Sequence, residues 1–220
     1  TITYVLAGDV EHGDSLGNSG IISSGDVQWM TAGSGIIHQE MPKGDASGRM
    51  HGFQLWANLP ARDKMMRPRY RGLVSAQIPE VTLSDGTVIK VISGEIAGIQ
   101  GPVADIVIAP EYFDVNLPAG ATFSHARQPG HTVFAYVIGG QGLFGDAPPK
   151  AATADNGTLV LFDAGDEIKV SAGDRGVRFL LISGCPLGEP IAWRGPIVMN
   201  TQVELQQAFE EYRQGTFIKT

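Results

Sequence analysis

The sequence predicts an all-β protein assembled from short strands in barrels or sandwiches. Glycine accounts for 29 and proline for 13 of the 220 residues, and charged residues make up only 18%. Long polar helices need more charge and fewer glycines, so this composition disfavours coiled coils and helical bundles. Apolar residues reach 43%, which is enough surface to bury and disfavours a disordered chain.

Short apolar runs alternate with glycine–aspartate pairs along the chain. Glycine supplies a positive φ and aspartate bonds to nearby backbone, so each pair is typical of a turn. Many short strands separated by turns indicate a sandwich or barrel rather than a parallel α/β sheet. The pairs are residues 8–9, 25–26, 145–146, 165–166 and 173–174. The predicted strands are residues 27–30, 53–57, 88–92, 106–108, 133–138, 159–162 and 178–182.

The strand and turn signals occur in the same order twice, which predicts two related β-domains. Between the two copies, residues 64–79 are basic and contain two prolines, as expected of a connector. We therefore predict a first domain at residues 1–75 and a second at residues 82–220. The chain opens with strand-like residues and no methionine, so we expect a further segment upstream.

One helix is predicted, at residues 202–214. Thr201 and Glu204 have the spacing of a capping box, in which both side chains satisfy free backbone donors. Gly215 supplies the stop signal. We expect the helix to have a structural role, with one face packed on a barrel; the residues of that face are Leu205, Ala208, Phe209 and Tyr212.

Charge and cysteine content exclude several classes of protein. The chain has a net charge of −7 and a pI near 5.1, so it lacks the basic surface that is typical of a general nucleic-acid binder. No apolar run has the length needed to cross a bilayer, so we expect no membrane partner. The single Cys185 rules out an internal disulfide and fits a reducing, cytoplasmic compartment.

His38 and Glu40 form the most informative polar pair in the sequence. On a strand, alternate side chains project to the same side, so the two head groups can converge on one ion. An imidazole with a carboxylate suits iron, manganese, nickel or copper. The neighbours Ile36 and Ile37 are apolar, and a carboxylate in such surroundings needs a compensating partner. Both residues are therefore candidate metal ligands.

The other histidines give weaker signals. His12 and His51 could complete a three-histidine site with His38, but His12 lies in a sequence typical of a solvated turn. His51 opens a strand, where a hydrogen-bonded structural role is expected. In the second half, His125 and His131 lack the spacing of a metal site, so we expect that domain to be structural. Outside the histidines, Trp29 and Trp56 are expected in the core, and Cys185 is expected to be a buried or inert thiol.

Five segments resemble the hallmark sequences of the pirin family, a branch of the cupins. They are spread over nearly the whole chain, and the run QWMTAG within the first is highly specific. The segments are residues 25–33, GDVQWMTAG; 35–42, GIIHQEMP; 51–59, HGFQLWANL; 91–95, VISGE; and 195–201, GPIVMNT.

The resemblance implies two tandem cupin barrels, of the double-stranded β-helix or jelly-roll type, followed by the helix. It implies one mononuclear non-haem metal ion in the N-terminal barrel, iron being the usual one, bound by three histidines and one glutamate. The third histidine and the glutamate correspond to His38 and Glu40. The first two histidines belong to a His-Pro-His motif that would lie shortly before Thr1.

The resemblance also implies an activity. Bacterial pirins are similar to quercetin 2,3-dioxygenases, which cleave a flavonol with dioxygen and release carbon monoxide. Glu40 would then bind the metal and act as the base toward the flavonol hydroxyl. The alternative is a non-enzymatic, metal- or redox-dependent partner of transcription factors or metabolic enzymes. The negative charge would favour a basic protein partner over bare DNA.

Overall fold

The protein is described by a computed structural model over residues 1–146 and 151–219. The chain is mostly β-strand with an α-helix near its end, which confirms the all-β prediction. It divides into two compact units. Unit 1 consists of Thr1–Gln77 and Leu187–Thr220, and unit 2 of Ile78–Pro186.

Unit 1 is built on two antiparallel sheets. One sheet has the strand order β6–β1–β4–β7 and the other has the order β3–β2–β5, while β18 and β19 pair with each other. Val5, Val10 and Ile22 form a buried cluster that joins the two sheets, since they come from β1, β2 and β3. The strands are β1 (Ile2–Ala7), β2 (Asp9–Asp14), β3 (Ser19–Ile22), β4 (Val27–Thr31), β5 (His38–Lys43), β6 (His51–Leu55), β7 (Arg69–Leu73), β18 (Ala192–Arg194) and β19 (Ile197–Met199).

Unit 2 contains the larger core. Its main sheet has the order β15–β14–β17–β12–β9–β8, to which β13 and β16 add, and its core is lined by residues such as Phe113, Phe123 and Phe179. The strands are β8 (Glu80–Thr82), β9 (Val88–Ser93), β10 (Glu95–Ile96), β11 (Ile99–Gln100), β12 (Glu111–Leu117), β13 (Thr122–Ala126), β14 (Thr132–Phe144), β15 (Ala152–Asp155), β16 (Leu159–Leu161) and β17 (Glu167–Gly184).

The glycine–aspartate pair at residues 173–174, predicted as a turn, lies inside a strand of unit 2, and Gly140 lies inside another. Gly140 interrupts the register of β14 against β17, and residues 173–174 lie within β17. Gly140 has φ of 69°, and a Cβ there would lie 2.1 Å from the carbonyl oxygen of Gly176. Glycine fits this crowded, positive-φ position, and the register shift there marks a bulge across which β14 continues.

Two other local predictions were wrong. Residues 106–108, predicted as a strand, form a turn between Asp105 and Ala109, both of which have positive φ. Residues 64–79, predicted as a connector, contain β7, which pairs with β4 at the edge of the unit 1 sheet. Pairing with a distant strand overrides the local proline signals here.

The helix is α1 (Gln202–Gln214), with the predicted bounds. Thr201 and Glu204 form the capping box, and Gly215 ends the helix with φ of 73°. The predicted apolar face is buried in part, because Tyr212 is 55% exposed. The helix groups with residues 1–77, whereas the predicted second domain extended through residue 220. A hydrogen bond from Ala61 N to Glu189 Oε2 (2.7 Å) ties this C-terminal segment to unit 1.

Candidate metal centre

A cluster of polar side chains lies on the inner face of β2 and β5. In the antiparallel register, His12 faces Glu40 and Asp14 faces His38. Side chains two residues apart share a face of a strand, so all four project to the same side. Glu11, which lies between the inward-facing Val10 and His12 of β2, is exposed, as this alternation requires.

Three of these side chains offer ligand atoms to one point. One ligand atom each of His12, His38 and Glu40 lies within 4.8 Å of the other two. His38 Nδ1 is 3.8 Å from Glu40 Oε1. The structure thus brings together the two residues that the sequence singled out, and it adds a third.

His12 lies in a strand and not in the solvated turn that its sequence suggested. It is 5% exposed, and β2 pairs with β3 on one side and with β5 on the other. The turn-forming residues around it therefore act as strand residues under tertiary constraint. His51, the other member of the alternative three-histidine set, is exposed, and its ring packs on Phe53 instead.

Neighbouring strands hold the carboxylate of Glu40. Thr3 Oγ1 on β1 donates a hydrogen bond to Glu40 Oε1 (2.9 Å), and Gln54 Nε2 on β6 donates one to Glu40 Oε2 (2.8 Å). Gln54 in turn accepts a hydrogen bond from Trp56 Nε1 (3.1 Å). The pairing of distant strands brings Thr3 and Gln54 to the site, so no local motif predicts them.

His12 is held by an aromatic ring and approached by a carboxylate. Its ring stacks on Tyr70, with centroids 5.2 Å apart, and its Nε2 lies 3.4 Å from Asp14 Oδ2. Burial alone would raise the pKa of Asp14. Hydrogen bonds from Asn18 and Leu16 outweigh this effect and hold the pKa below its ordinary value, so Asp14 is a stable anion near His12.

The environment of His38 favours its neutral form. Burial lowers the pKa of His38 below its ordinary value, and the nearby Glu40 carboxylate offsets only part of this effect. A neutral imidazole has a free lone pair on one ring nitrogen, which is the form that binds metal ions. His38 is therefore suited to act as a ligand near neutral pH.

The buried polar atoms of unit 1 test whether a metal ion fits. Within residues 1–146 and 151–219, Nδ1 of His12 and Nδ1 of His38 are buried without a hydrogen-bond partner, and Nε2 of His12 has only the 3.4 Å approach of Asp14 Oδ2. Buried polar atoms without partners cost free energy, and a metal ion would satisfy such nitrogens. Two imidazoles with one carboxylate are also the donor set typical of non-haem iron. The residues therefore fit a divalent transition metal.

The histidines of unit 2 belong to a different network. His125 Nε2 lies 3.1 Å from Glu111 Oε1, and Ser183 Oγ donates to Glu111 Oε2 (2.6 Å). His131 Nδ1 is 3.2 Å from the same Ser183 hydroxyl. These groups form a chain of hydrogen bonds in which both carboxylate oxygens of Glu111 have partners.

Further predictions concern two tryptophans and the single cysteine. Trp29 is 4% exposed and lies in the core as predicted, but Trp56 is 47% exposed and is not a core residue. Its indole packs near that of Trp193, with ring centroids 6.3 Å apart. Cys185 forms no disulfide and is exposed, so it is not the buried thiol that was one of the two expectations; that the thiol is inert stays a prediction.

No helix in the described parts of the chain is long and apolar enough to cross a membrane.

Two family profiles match the sequence: one described as Pirin over residues 1–57, and one described as Pirin C-terminal cupin domain over residues 112–218. A pirin-like protein of Caulobacter vibrioides is 41% identical over 99% of this chain and 76% of its own. Pirin-1 of Arabidopsis thaliana is 42% identical over 97% of this chain and 73% of its own.

Solved structures agree with these sequence relatives. A quercetin 2,3-dioxygenase from Acinetobacter baumannii superposes with a TM-score of 0.87 at 33% identity, covering 98% of this chain and 75% of its own. A second structure of that name from the same organism has a TM-score of 0.83 at 26% identity, covering 97% and 68%. The two β-units have the two-domain cupin fold, and the chain belongs to the pirin family.

Proposed function

We propose that the protein is a quercetin 2,3-dioxygenase-type oxidoreductase with a mononuclear iron site in unit 1. The observation that carries the proposal is the convergence of ligand atoms of His12, His38 and Glu40 within 4.8 Å. The likeness to a solved quercetin 2,3-dioxygenase, at 33% identity, supports the choice of a flavonol and dioxygen as substrates.

His38 and Glu40 are the proposed ligands that the family resemblance also implies, and His12 is the third donor that the fold supplies. Sites that retain a metal fix three or more protein ligands, so His12 matters for retention. When bound, the metal would polarise the flavonol oxygen and provide the redox centre for dioxygen chemistry. The upstream His-Pro-His pair stays a prediction from the resemblance.

Glu40 has the capacity to serve as both ligand and base. Its two oxygens provide about four lone-pair sites, of which the hydrogen bonds from Thr3 and Gln54 use two. One remaining site would hold the metal, and another would be available to accept the proton of the flavonol hydroxyl. The donors on both oxygens hold the carboxylate in place, so that it would face the hydroxyl of a bound flavonol.

The candidate site is open enough for a substrate to enter, and a bound substrate would exclude water from the reacting flavonol. The side chains of His38 and Glu40 are 26% and 16% exposed, so the site opens to solvent on one side. On that side a planar substrate could reach Glu40 and displace water from it. The expected net reaction consumes one flavonol and one dioxygen and gives one ring-opened ester and one carbon monoxide.

The test follows oxygen uptake and carbon monoxide release from quercetin by iron-loaded protein. The proposal expects equal amounts of the two gases, loss of turnover in Glu40→Gln with retained fold, and loss of both metal and turnover in His38→Ala. Glu11→Gln is the matched control, since Glu11 lies on the outer face of the adjacent strand. Bound metal without turnover would contradict the enzyme and favour the regulatory alternative.

A further inference from the structure

The hydrogen bonds around Glu40 all run in one direction, toward its carboxylate. Trp56 Nε1 donates to Gln54 Oε1, and Gln54 Nε2 donates to Glu40 Oε2. Gln54 Nε2 also lies 3.2 Å from Thr3 Oγ1, and the Thr3 hydroxyl donates to Glu40 Oε1. An indole N–H can only donate, so the direction of the first step is fixed.

Trp56 thereby fixes the orientation of the Gln54 amide. A glutamine side chain presents a carbonyl oxygen on one side and an NH2 group on the other. Because the indole N–H requires the oxygen of Gln54, the NH2 group is left to face Glu40. The opposite orientation would place the amide oxygen against the carboxylate and leave the indole N–H without an acceptor.

The backbone places Thr3 and Gln54 so that both reach the same carboxylate. They are directly opposite in the β1–β6 register, so their side chains share one face of the sheet. Thr3 is 5% exposed, whereas Gln54 and Trp56 are exposed. A buried hydroxyl therefore holds one oxygen of Glu40, and an amide on the solvent side holds the other.

We propose that Thr3 and Gln54 are positioning residues that aim Glu40 at the metal, with Trp56 setting the amide of Gln54. This inference rests on the proposed metal site of unit 1. Groups that hydrogen-bond a ligating carboxylate orient it, and their loss typically costs about 10–100-fold in metal affinity. Water can partly replace an exposed donor, so the effect of Gln54 belongs at the lower end of that range.

The experiment measures Co²⁺ affinity and the Co²⁺ d–d spectrum of the full chain. We expect Thr3→Val and Gln54→Leu to weaken binding by about 10-fold and to shift the spectrum. Trp56→Phe keeps an aromatic ring but removes the N–H, and should weaken binding by a few-fold. Thr3→Ser keeps the hydroxyl and should restore wild-type affinity. A merely structural role would lower the unfolding temperature without moving the spectrum.

Trp193→Phe is the matched control for Trp56→Phe. Trp193 is also exposed and donates its indole N–H, but to the carbonyl oxygen of Gly195 and not to Gln54. It should leave Co²⁺ affinity unchanged. Equal losses in the two tryptophan variants, or wild-type affinity and spectrum in both Thr3→Val and Gln54→Leu, would overturn the proposal.

The same measurements separate this inference from the proposed function. Wild-type protein that binds Co²⁺ and shows the expected variant order, but whose iron form does not turn over quercetin, contradicts only the dioxygenase. Protein that turns over quercetin while every variant binds Co²⁺ normally contradicts only the positioning role. Wild-type protein that binds no Co²⁺ contradicts both, since no ligand then needs to be oriented.

Discussion

The imidazole of His12 lies nearly parallel to the phenol ring of Tyr70, with 17° between the planes and 5.2 Å between the centroids. The two residues come from β2 and β7, which belong to different sheets of unit 1. The contact therefore joins the sheets next to the candidate metal centre. It also restricts the rotation of a ring that offers one ligand atom to the cluster.

The stacking contact predicts a difference between two Tyr70 variants. Tyr70→Ala removes the ring and frees the His12 imidazole to rotate, so the affinity for a divalent metal should fall by about 10-fold. Tyr70→Phe keeps the ring and should bind metal as the wild type does. Calorimetric titration with Co²⁺ measures both. A Phe variant as weak as the Ala variant would assign the effect to the hydroxyl instead.

A second prediction concerns the two remaining histidines of the first half. His12→Ala should lower metal affinity by at least about 10-fold, because a three-donor site loses one ligand. His51→Ala should leave affinity unchanged, since His51 is exposed and packs on Phe53. Metal titration of both variants measures the two affinities. Equal losses would point to the wider ligand set that includes His51.

How much of this site the sequence predicts depends on how local each signal is. His38 and Glu40 are two residues apart on one strand, so their shared face follows from strand periodicity. His12, Tyr70 and Gln54 reach the site only through strand pairing across the fold, and nothing in their own neighbourhoods indicates it. For His12 the local composition pointed to a turn, and pairing on both edges of β2 overrode it.

The same distinction applies to the fold. The capping box of α1 involves residues three apart and was predicted with its exact partners. The grouping of the C-terminal segment with unit 1 rests on contacts such as that between Ala61 and Glu189, which are 128 residues apart in sequence. Local periodicity and turn signals carry no information about contacts between residues that are so far apart in the sequence.

A third prediction concerns the stability of unit 2. Glu111→Ala removes the partner of both the His125 ring and the Ser183 hydroxyl in a buried network. The free energy of unfolding should fall by about 3 kcal/mol, since breaking a buried pair leaves polar groups unpaired. Glu80→Ala, at an exposed position of the same unit, should change it by less than about 0.5 kcal/mol. Denaturant titration measures both variants.

The network around Glu111 also predicts how stability depends on pH. Burial raises the pKa of Glu111, but hydrogen bonds from His125 and Ser183 outweigh it and hold the pKa below its ordinary value of 4.5. A carboxyl with a lower pKa in the folded state stabilises the fold above its ordinary pKa. That contribution is lost as pH falls through the folded-state pKa.

The measurement is the free energy of unfolding of wild type and Glu111→Gln across the acid range. The wild type should be the more stable protein near neutral pH, and the difference should shrink as pH falls below 4.5. A difference that stays constant through this range would show that the charge of Glu111 does not stabilise unit 2.

His12, His38 and Glu40 are proposed to hold one metal ion together. The most direct measurement is the iron content of the chain after anaerobic loading with Fe²⁺ and removal of free metal, compared with the variant that carries alanine at all three positions. We expect one ion per wild-type chain and none in the triple variant, with both proteins folded. Equal iron content in the two proteins, or no retained iron in the wild type, would contradict it.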